Sequence, residues 1–137
     1  MKGEITILIV DDNPTNLDVL RKILEKEEYE VMIVNNGEDI LEIASEFIPD
    51  LILLDVMMPG MDGFETCRKL KEDPVFENIP ILFMTAKAET EDVVAAFKSG
   101  GADYITKPFR REEVLARVGT HLKLTQTIKK RNAWPKI

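Results

Sequence analysis

Two carboxylates, a third carboxylate, a hydroxyl and a lysine stand just past short apolar runs along this 137-residue chain. Asp11 and Asp12 follow Ile5–Val10, Asp55 follows Leu51–Leu54, Thr85 follows Ile81–Met84, and Lys107 comes soon after Tyr104–Ile105. Three carboxylates in one pocket repel one another, so at neutral pH they need protons or a cation. Oxygen ligands without His or Cys select a hard ion, and Mg²⁺ with a partly aqueous shell is the natural choice. A carboxylate is also a nucleophile toward phosphorus, forming an acyl phosphate. That chemistry depends on positioning and charge neutralisation more than on a proton shuttle. Mg²⁺ would supply one part of the neutralisation, Lys107 a second, and the Thr85 hydroxyl a hydrogen bond. Singly, each residue has a plainer reading: a turn or cap for Asp11, Asp12 and Thr85, a loop residue for Asp55, a solvated charge for Lys107. Delivered together at four run ends, they outweigh those separate readings.

The elements that must hold these residues are legible in the hydrophobic pattern. The runs Ile5–Val10, Val31–Val34, Leu51–Leu54, Ile81–Met84 and Tyr104–Ile105 read as strands, and the first, third and fourth are apolar enough to be covered on both faces. Helical spacing fills the intervals. The first helix is expected from Pro14, with Asn13 as N-cap, burying Leu17, Leu20, Ile23 and Leu24. The second follows the Asn35-Asn36-Gly37 turn, buries Ile40, Leu41, Ala44 and Phe47, and ends before Pro49. The third runs from about Phe64 through Cys67 and Leu70 to the stop at Asp73-Pro74. The fourth carries Val93, Val94 and Phe97 and ends at Gly100-Gly101; the fifth starts after Pro108 and carries Val114, Leu115, Val118 and Leu122. Strict alternation over five rounds predicts an α/β fold with a doubly wound five-stranded parallel sheet, and the order expected for it is 2-1-3-4-5, the flavodoxin-like order common among such sheets. Ligands of such sheets bind at the carboxyl ends of the strands, where the order reverses. Strands one and three are neighbours there, which would gather Asp11, Asp12 and Asp55.

Composition narrows the alternatives. Apolar residues make up 45% and charged residues 31%, the balance of one globular domain rather than a disordered chain. A single cysteine, Cys67, excludes an internal disulfide framework, and a single histidine, His121, excludes multi-His metal sites. Cys67 reads as a small buried hydrophobe, His121 as a helix-face residue, and Trp134 in its Pro-flanked tail has no assigned role. Met57, Met58 and Met61 read as loop and edge packing. The apolar runs are too short to span a bilayer and Met1–Glu4 shows no signal-peptide pattern, so the expected setting is cytoplasmic. A net charge of −7 argues against nucleic acid as the partner. Charge is uneven: residues 1–106 carry 9 basic and 23 acidic side chains, whereas residues 107–137 carry 9 basic and 2 acidic. Glu112 and Glu113 near the start of the last helix, with Lys129, Lys130 and Arg131 near its end, match a helix macrodipole.

Four blocks together, Ile9-Val10-Asp11-Asp12-Asn13, Leu54-Asp55-Val56-Met57-Met58-Pro59-Gly60-Met61-Asp62-Gly63, Met84-Thr85-Ala86 and Asp103-Tyr104-Ile105-Thr106-Lys107-Pro108-Phe109, resemble the receiver domain of two-component response regulators in order and spacing. The resemblance implies a receiver over residues 1–122, with 123–137 as an extension of the last helix and a basic tail. It implies that Asp55 is the phosphoacceptor, taking a phosphoryl group from a phosphohistidine of a histidine kinase or histidine phosphotransfer protein. Asp11 and Asp12 match the pair that holds Mg²⁺, with Asp55 and the backbone carbonyl of Met57 as further ligands. Thr85 and Lys107 match the residues that contact the phosphoryl oxygens, and Ala86 the small residue beside that threonine. Tyr104 matches the aromatic whose rotamer follows phosphorylation, so Thr85 and Tyr104 form the implied switch. Lys107-Pro108 matches a peptide bond usually kept cis, while Met57 and Lys87 fall at positions that tune phosphoryl lifetime. The face of the fourth helix, fifth strand and fifth helix is then the expected surface for a partner or a homodimer, with Phe97, Ala102, Tyr104 and Val114 as candidate members. The implied role is signalling, not enzymatic turnover, with Mg²⁺-dependent phosphorylation and dephosphorylation confined to the domain itself. Arg117-Val118-Gly119-Thr120-His121-Leu122 resembles receivers joined to further domains by an extended last helix. Two rivals share the fold class. An aspartate-nucleophile phosphatase calls for Asp-x-Asp where this chain has adjacent acids, and a nucleotide- or flavin-binding module calls for a Gly- or Ser/Thr-rich loop where it has Asp-Asp-Asn-Pro-Thr-Asn. A structural interaction domain would leave the convergent acids unexplained.

Overall fold

A computed structural model describes residues 5–44, 46–58, 60–86 and 90–133. Strands and helices alternate: β1 (Thr6–Val10), α1 (Pro14–Lys26), β2 (Glu30–Val34), α2 (Asp39–Ala44), β3 (Leu51–Asp55), α3 (Gly63–Lys71), a 3₁₀ turn (Pro74–Phe76), β4 (Ile81–Thr85), α4 (Thr90–Lys98), β5 (Asp103–Thr106) and α5 (Arg111–Ala133). The strands form one parallel sheet, as the alternation predicts, in the expected order β2-β1-β3-β4-β5.

The sheet is apolar on both sides because both sides are covered. Leu8, Val10, Ile52, Leu54, Ile81 and Phe83 face one layer, where Ile40 of α2, Cys67 and Leu70 of α3 and Ala96 of α4 complete the core. Ile7, Ile9, Leu51, Leu53, Leu82, Met84 and Ile105 face the other, against Leu20 and Leu24 of α1 and Val114, Val118 and Leu122 of α5. Register decides what happens at the edge: Val10 pairs with Leu54, Asp55 with Met84, and Thr85 with Thr106. The residues that follow β1, β3, β4 and β5 therefore emerge along one rim.

Helix caps aim the next elements at that rim. Asn13 caps α1, its side chain accepting from the N–H groups of Thr15 at 2.9 Å and Asn16 at 3.1 Å, and Pro14 takes the first helical position. Asp62 caps α3 by accepting from the Glu65 N–H at 2.8 Å. Gly63 opens α3 directly against the end of β3; a Cβ there would collide with the Asp55 carbonyl oxygen and the Val56 Cα. Only glycine permits that approach.

Several side chains depart from their expected places. Phe47 does not join the core: α2 stops at Ala44, the chain turns with Phe47 N–H bonded to the Ile43 carbonyl, and the ring is 61% exposed. Seven residues past Ile40 would return to the packed face only if the helix continued. The side chains of Leu41 and Ala44 lie outside the described residues. On α4 the inward residue is Ala96, while Val94 and Phe97 are exposed. Of the three loop methionines only Met58 is buried; Met57 is 79% exposed, because the β3–α3 loop turns it outward beside Asp55. Val114 is fully buried under the sheet and cannot belong to an exposed face. Lys87, Pro59 and Trp134 fall outside the described residues, as do the side chains of Lys129, Lys130 and Arg131. Among the described residues no helix is long and apolar enough to cross a membrane.

Two glycines give opposite expectations. Gly63→Ala should destabilise the protein by about 1–3 kcal/mol through overpacking. Gly119, inside α5, has nothing within 4 Å of a built Cβ, so Gly119→Ala should stabilise by about 0.5–1 kcal/mol. Urea denaturation of the two variants beside the parent checks both signs.

Candidate functional site

Asp11 leaves the end of β1 fully buried, and Asp55 ends β3 with 3% of its surface exposed. Asp12 lies on the solvent side. Each of the three offers a carboxylate oxygen, and these oxygens lie within 4.8 Å of one another. The sequence brings them together through parallel pairing of β1 and β3, as expected at the point where strand order reverses.

Lys107 is the cation that answers this charge from the protein side. Its backbone N–H bonds to the Thr85 carbonyl at 2.8 Å, which anchors the end of β5 to the end of β4. The Lys107-Pro108 peptide is cis. From that anchor the ammonium reaches both buried acids, 3.2 Å from Asp55 Oδ1 and 3.6 Å from Asp11 Oδ2. Neutral donors complete the set. The Met57 N–H donates to Asp55 Oδ1 at 3.3 Å, the Asn13 N–H to Asp11 Oδ1 at 2.9 Å, and the Asn16 amide to Asp11 Oδ2 at 3.2 Å. Among the described residues, the Met57 N–H and the Lys107 ammonium both fall on Asp55 Oδ1.

Burial, first, and the neighbouring Asp11 charge, second, push the Asp55 carboxyl up to about 6, against the pull of Lys107 and the Met57 N–H. The arrangement is short of positive charge. Three acids and one lysine make a site whose donor set, all oxygen and hard, fits a divalent cation such as Mg²⁺.

Thr85 ends β4 beside Asp55's own neighbour, Met84. Behind it lies a small pocket, about 10 Å³, lined by Val56, Phe83, Thr85, Val93, Ala96 and Tyr104. Thr85 and Tyr104 thus border one void from two adjacent strands. Tyr104 is half-buried, and the Arg117 guanidinium stands 5.3 Å from its ring centroid.

A family model described as the response regulator receiver domain matches residues 7–119. The chain belongs to this receiver family. Over 117 residues it is 41% identical to the DNA-binding response regulator MtrA of Mycolicibacterium smegmatis, covering 85% of this chain and 50% of the relative. Over 112 residues it is 46% identical to the response regulator PleD of Caulobacter vibrioides, covering 82% of this chain and 25% of that protein. This receiver therefore spans half or less of the length of these relatives. The receiver domain of a Pseudomonas aeruginosa sensor histidine kinase, solved with a magnesium ion coordinated in its active-site cleft, superposes with a TM-score of 0.80 at 30% identity, covering 86% of this chain and 97% of that one.

Two groups of residues escaped the sequence reading. Asn16 is one; its place three residues after the cap Asn13, on the helix turn facing the acid pair, was the available signal. The other is a cluster on β5 and α5. Asp103 accepts from Arg117 at 2.8 Å through Oδ1 and pairs with His121 Nε2 at 3.0 Å through Oδ2. Burial alone would raise the Asp103 carboxyl, but bonds from His121, the Tyr104 N–H and Arg117 outweigh it and hold it below the usual range. Arg117 and His121 are four residues apart, hence on one helix face. That spacing could have announced the pair, but nothing in it names Asp103 as their partner.

The raised Asp55 carboxyl sets a pH dependence for the protein kept metal-free by a chelator. The folded state holds the Asp55 proton more tightly than the unfolded chain does, so this group favours folding at low pH and that contribution is lost as pH rises from about 4 to 6. Asp55→Asn removes the charge. It should raise stability at pH 7 by about 1–3 kcal/mol, with the gain vanishing near pH 4. Denaturation curves of parent and variant across that range test the sign.

Proposed function

We propose that residues 1–122 act as a phosphorylation-controlled signalling receiver in which Asp55 accepts a phosphoryl group, with residues 123–137 as an extension of the last helix and a basic tail. The observation that carries this reading is the pairing of one buried, proton-poised carboxylate, Asp55, with Lys107 at 3.2 Å and two further acids within 4.8 Å. The donor is a phosphohistidine of a histidine kinase or histidine phosphotransfer protein. Asp55 Oδ2 forms the new O–P bond as the N–P bond breaks, and the freed imidazole leaves as the neutral base or takes a proton from solvent. Lys107 stays within reach of Asp55 Oδ1 and neutralises charge on the transferred group, and Thr85 donates its hydroxyl to a phosphoryl oxygen. Mg²⁺, held by Asp11, Asp12, Asp55 and the Met57 carbonyl, would neutralise the remaining oxygens. Support for an ion in that place comes from the donor chemistry and from the magnesium ion named in the Pseudomonas receiver.

The output is a population shift. A phosphoryl group adds about −1.5 to −2 charge and strong acceptor oxygens. Thr85 moving toward them enlarges the void it shares with Tyr104, and the ring follows. That alters the surface of α4, β5 and α5, where Val94 and Phe97 are exposed and Ala102 and Tyr104 half-buried. This is the face assigned to a partner or a second copy. The setting is cytoplasmic, and the receiver turns over no substrate beyond its own phosphorylation and dephosphorylation. Nucleic acid is not its direct partner, which the excess of acidic side chains over residues 1–106 supports.

Incubation with Mg²⁺ and acetyl phosphate, read by intact mass, should give a single phosphoryl adduct in the parent and none in Asp55→Asn; equal labelling of both would refute the assignment. Asp12→Ala should weaken Mg²⁺ binding more than Asp11→Ala, because Asp12 faces solvent whereas three protein donors already occupy Asp11. Isothermal titration measures the order. Thr85→Ala should still be labelled at Asp55 yet lose most of the response of Tyr104, followed by NMR of a fluorinated tyrosine.

A further inference from the structure

Lys107 serves two buried acids with one ammonium, and the division between them decides what it can do for phosphoryl transfer. It stands 3.2 Å from Asp55 Oδ1 and 3.6 Å from Asp11 Oδ2. Electrostatics alone does not explain the preference for Asp55. Asp11 is the more buried of the two, with no exposed surface at all, and an unpaired buried carboxylate attracts any mobile cation within reach. What differs is the supply of other donors. Asp11 Oδ1 already accepts the Asn13 N–H at 2.9 Å, and Asp11 Oδ2, the oxygen that Lys107 approaches, accepts the Asn16 amide at 3.2 Å.

The Asn16 amide has the properties this task requires. It is neutral, so it satisfies a lone pair without cancelling the negative charge that a cation needs from Asp11. It is short and sits in the first turn of a helix whose start is pinned by the Asn13 cap and Pro14, so its reach is fixed. It also approaches the same oxygen as Lys107. An Asp11 without it would have Lys107 as the sole donor at Oδ2 among the described residues.

We propose that Asn16 is a positioning residue for phosphoryl transfer: by donating to Asp11 Oδ2 it keeps Lys107 on Asp55. The proposal rests on the reading of Asp55 as phosphoacceptor for its kinetic consequence, but its geometric consequence stands apart from that reading. Removing the donor should draw Lys107 toward Asp11, away from the group that accepts phosphorus.

Three variants separate this from a structural role. Asn16→Leu keeps the volume and removes the donor. Asn16→Asp keeps the shape, removes the donor and adds an acid. Asn16→Gln retains an amide that can reach the same oxygen. In crystals of metal-free Asn16→Leu, the order of the two Lys107 distances should invert, with the ammonium nearer to Asp11 than to Asp55. Labelling by acetyl phosphate at saturating Mg²⁺ should slow about tenfold in Asn16→Leu, with the loss in the maximal rate rather than in the donor concentration for half-maximal rate. Asn16→Gln should recover most of it. Mg²⁺ affinity, measured by titration, should change less than threefold in Asn16→Leu and should rise in Asn16→Asp. Parent-like labelling in Asn16→Leu, or Lys107 still nearer to Asp55 in its crystal structure, overturns the proposal. So does a deficit that disappears as Mg²⁺ is raised, since Asn16 would then act through the metal. If the parent itself accepts no phosphoryl group, the receiver reading fails, and the Lys107 distances in the Asn16→Leu crystal still decide the positioning role.

Discussion

Two carboxylates buried side by side are the constraint around which this molecule is arranged. Asp11 and Asp55 lie almost wholly out of water, with Asp12 at their edge and oxygens of all three within 4.8 Å. At an effective dielectric constant near 20, like charges at that separation repel by about 3 kcal/mol, and burial of each adds to the cost. The fold offsets part of this with one ammonium, two backbone N–H groups and one side-chain amide. The remainder is a standing attraction for a divalent cation. The same imbalance weakens the metal-free fold.

Nearly every local feature near the rim serves that arrangement. Parallel pairing of β1 with β3 brings the acids together, and pairing of β4 with β5 delivers Lys107 through its bond to the Thr85 carbonyl. The Asn13 cap starts α1 where its first turn can turn Asn16 back on Asp11. Gly63 lets α3 begin against Asp55's own backbone, so the loop that carries Met57 stays tight enough for its N–H to reach the carboxylate. The two apolar layers beneath are what hold these ends still, and a rigid base is what allows a charge change at the rim to be felt elsewhere.

A short chain of contacts joins Thr85 to α5. Thr85 and Tyr104 share a void, and the Tyr104 ring rests under Arg117, which Asp103 holds while His121 holds Asp103 from its other side. This clamp ties the aromatic to α5, the helix that runs on to Ala133.

The strand and helix order, the two-sided burial of the central strands, the caps at Asn13 and the rim positions of Asp11, Asp12, Asp55, Thr85 and Lys107 could all be read from the residues. These are local properties: apolar periodicity reports which faces are covered, and turn chemistry reports where each element ends. The placement of Phe47 and Met57 could not be read in this way. Each is an apolar residue whose burial depends on where a neighbouring helix stops or how a loop turns, and a short helix such as α2 ends by tertiary competition rather than by a signal of its own. The partners of Asn16, Asp103, Arg117 and His121 were equally hidden. Sequence spacing states which side chains share a helix face, but which acid stands opposite that face is decided only when sheet and helix pack, because the bond joins residues far apart in the chain. Residue types and their order thus determined the chemistry available to this protein. Tertiary packing decided which oxygen of Asp11 meets the Asn16 amide, and so where the one lysine rests.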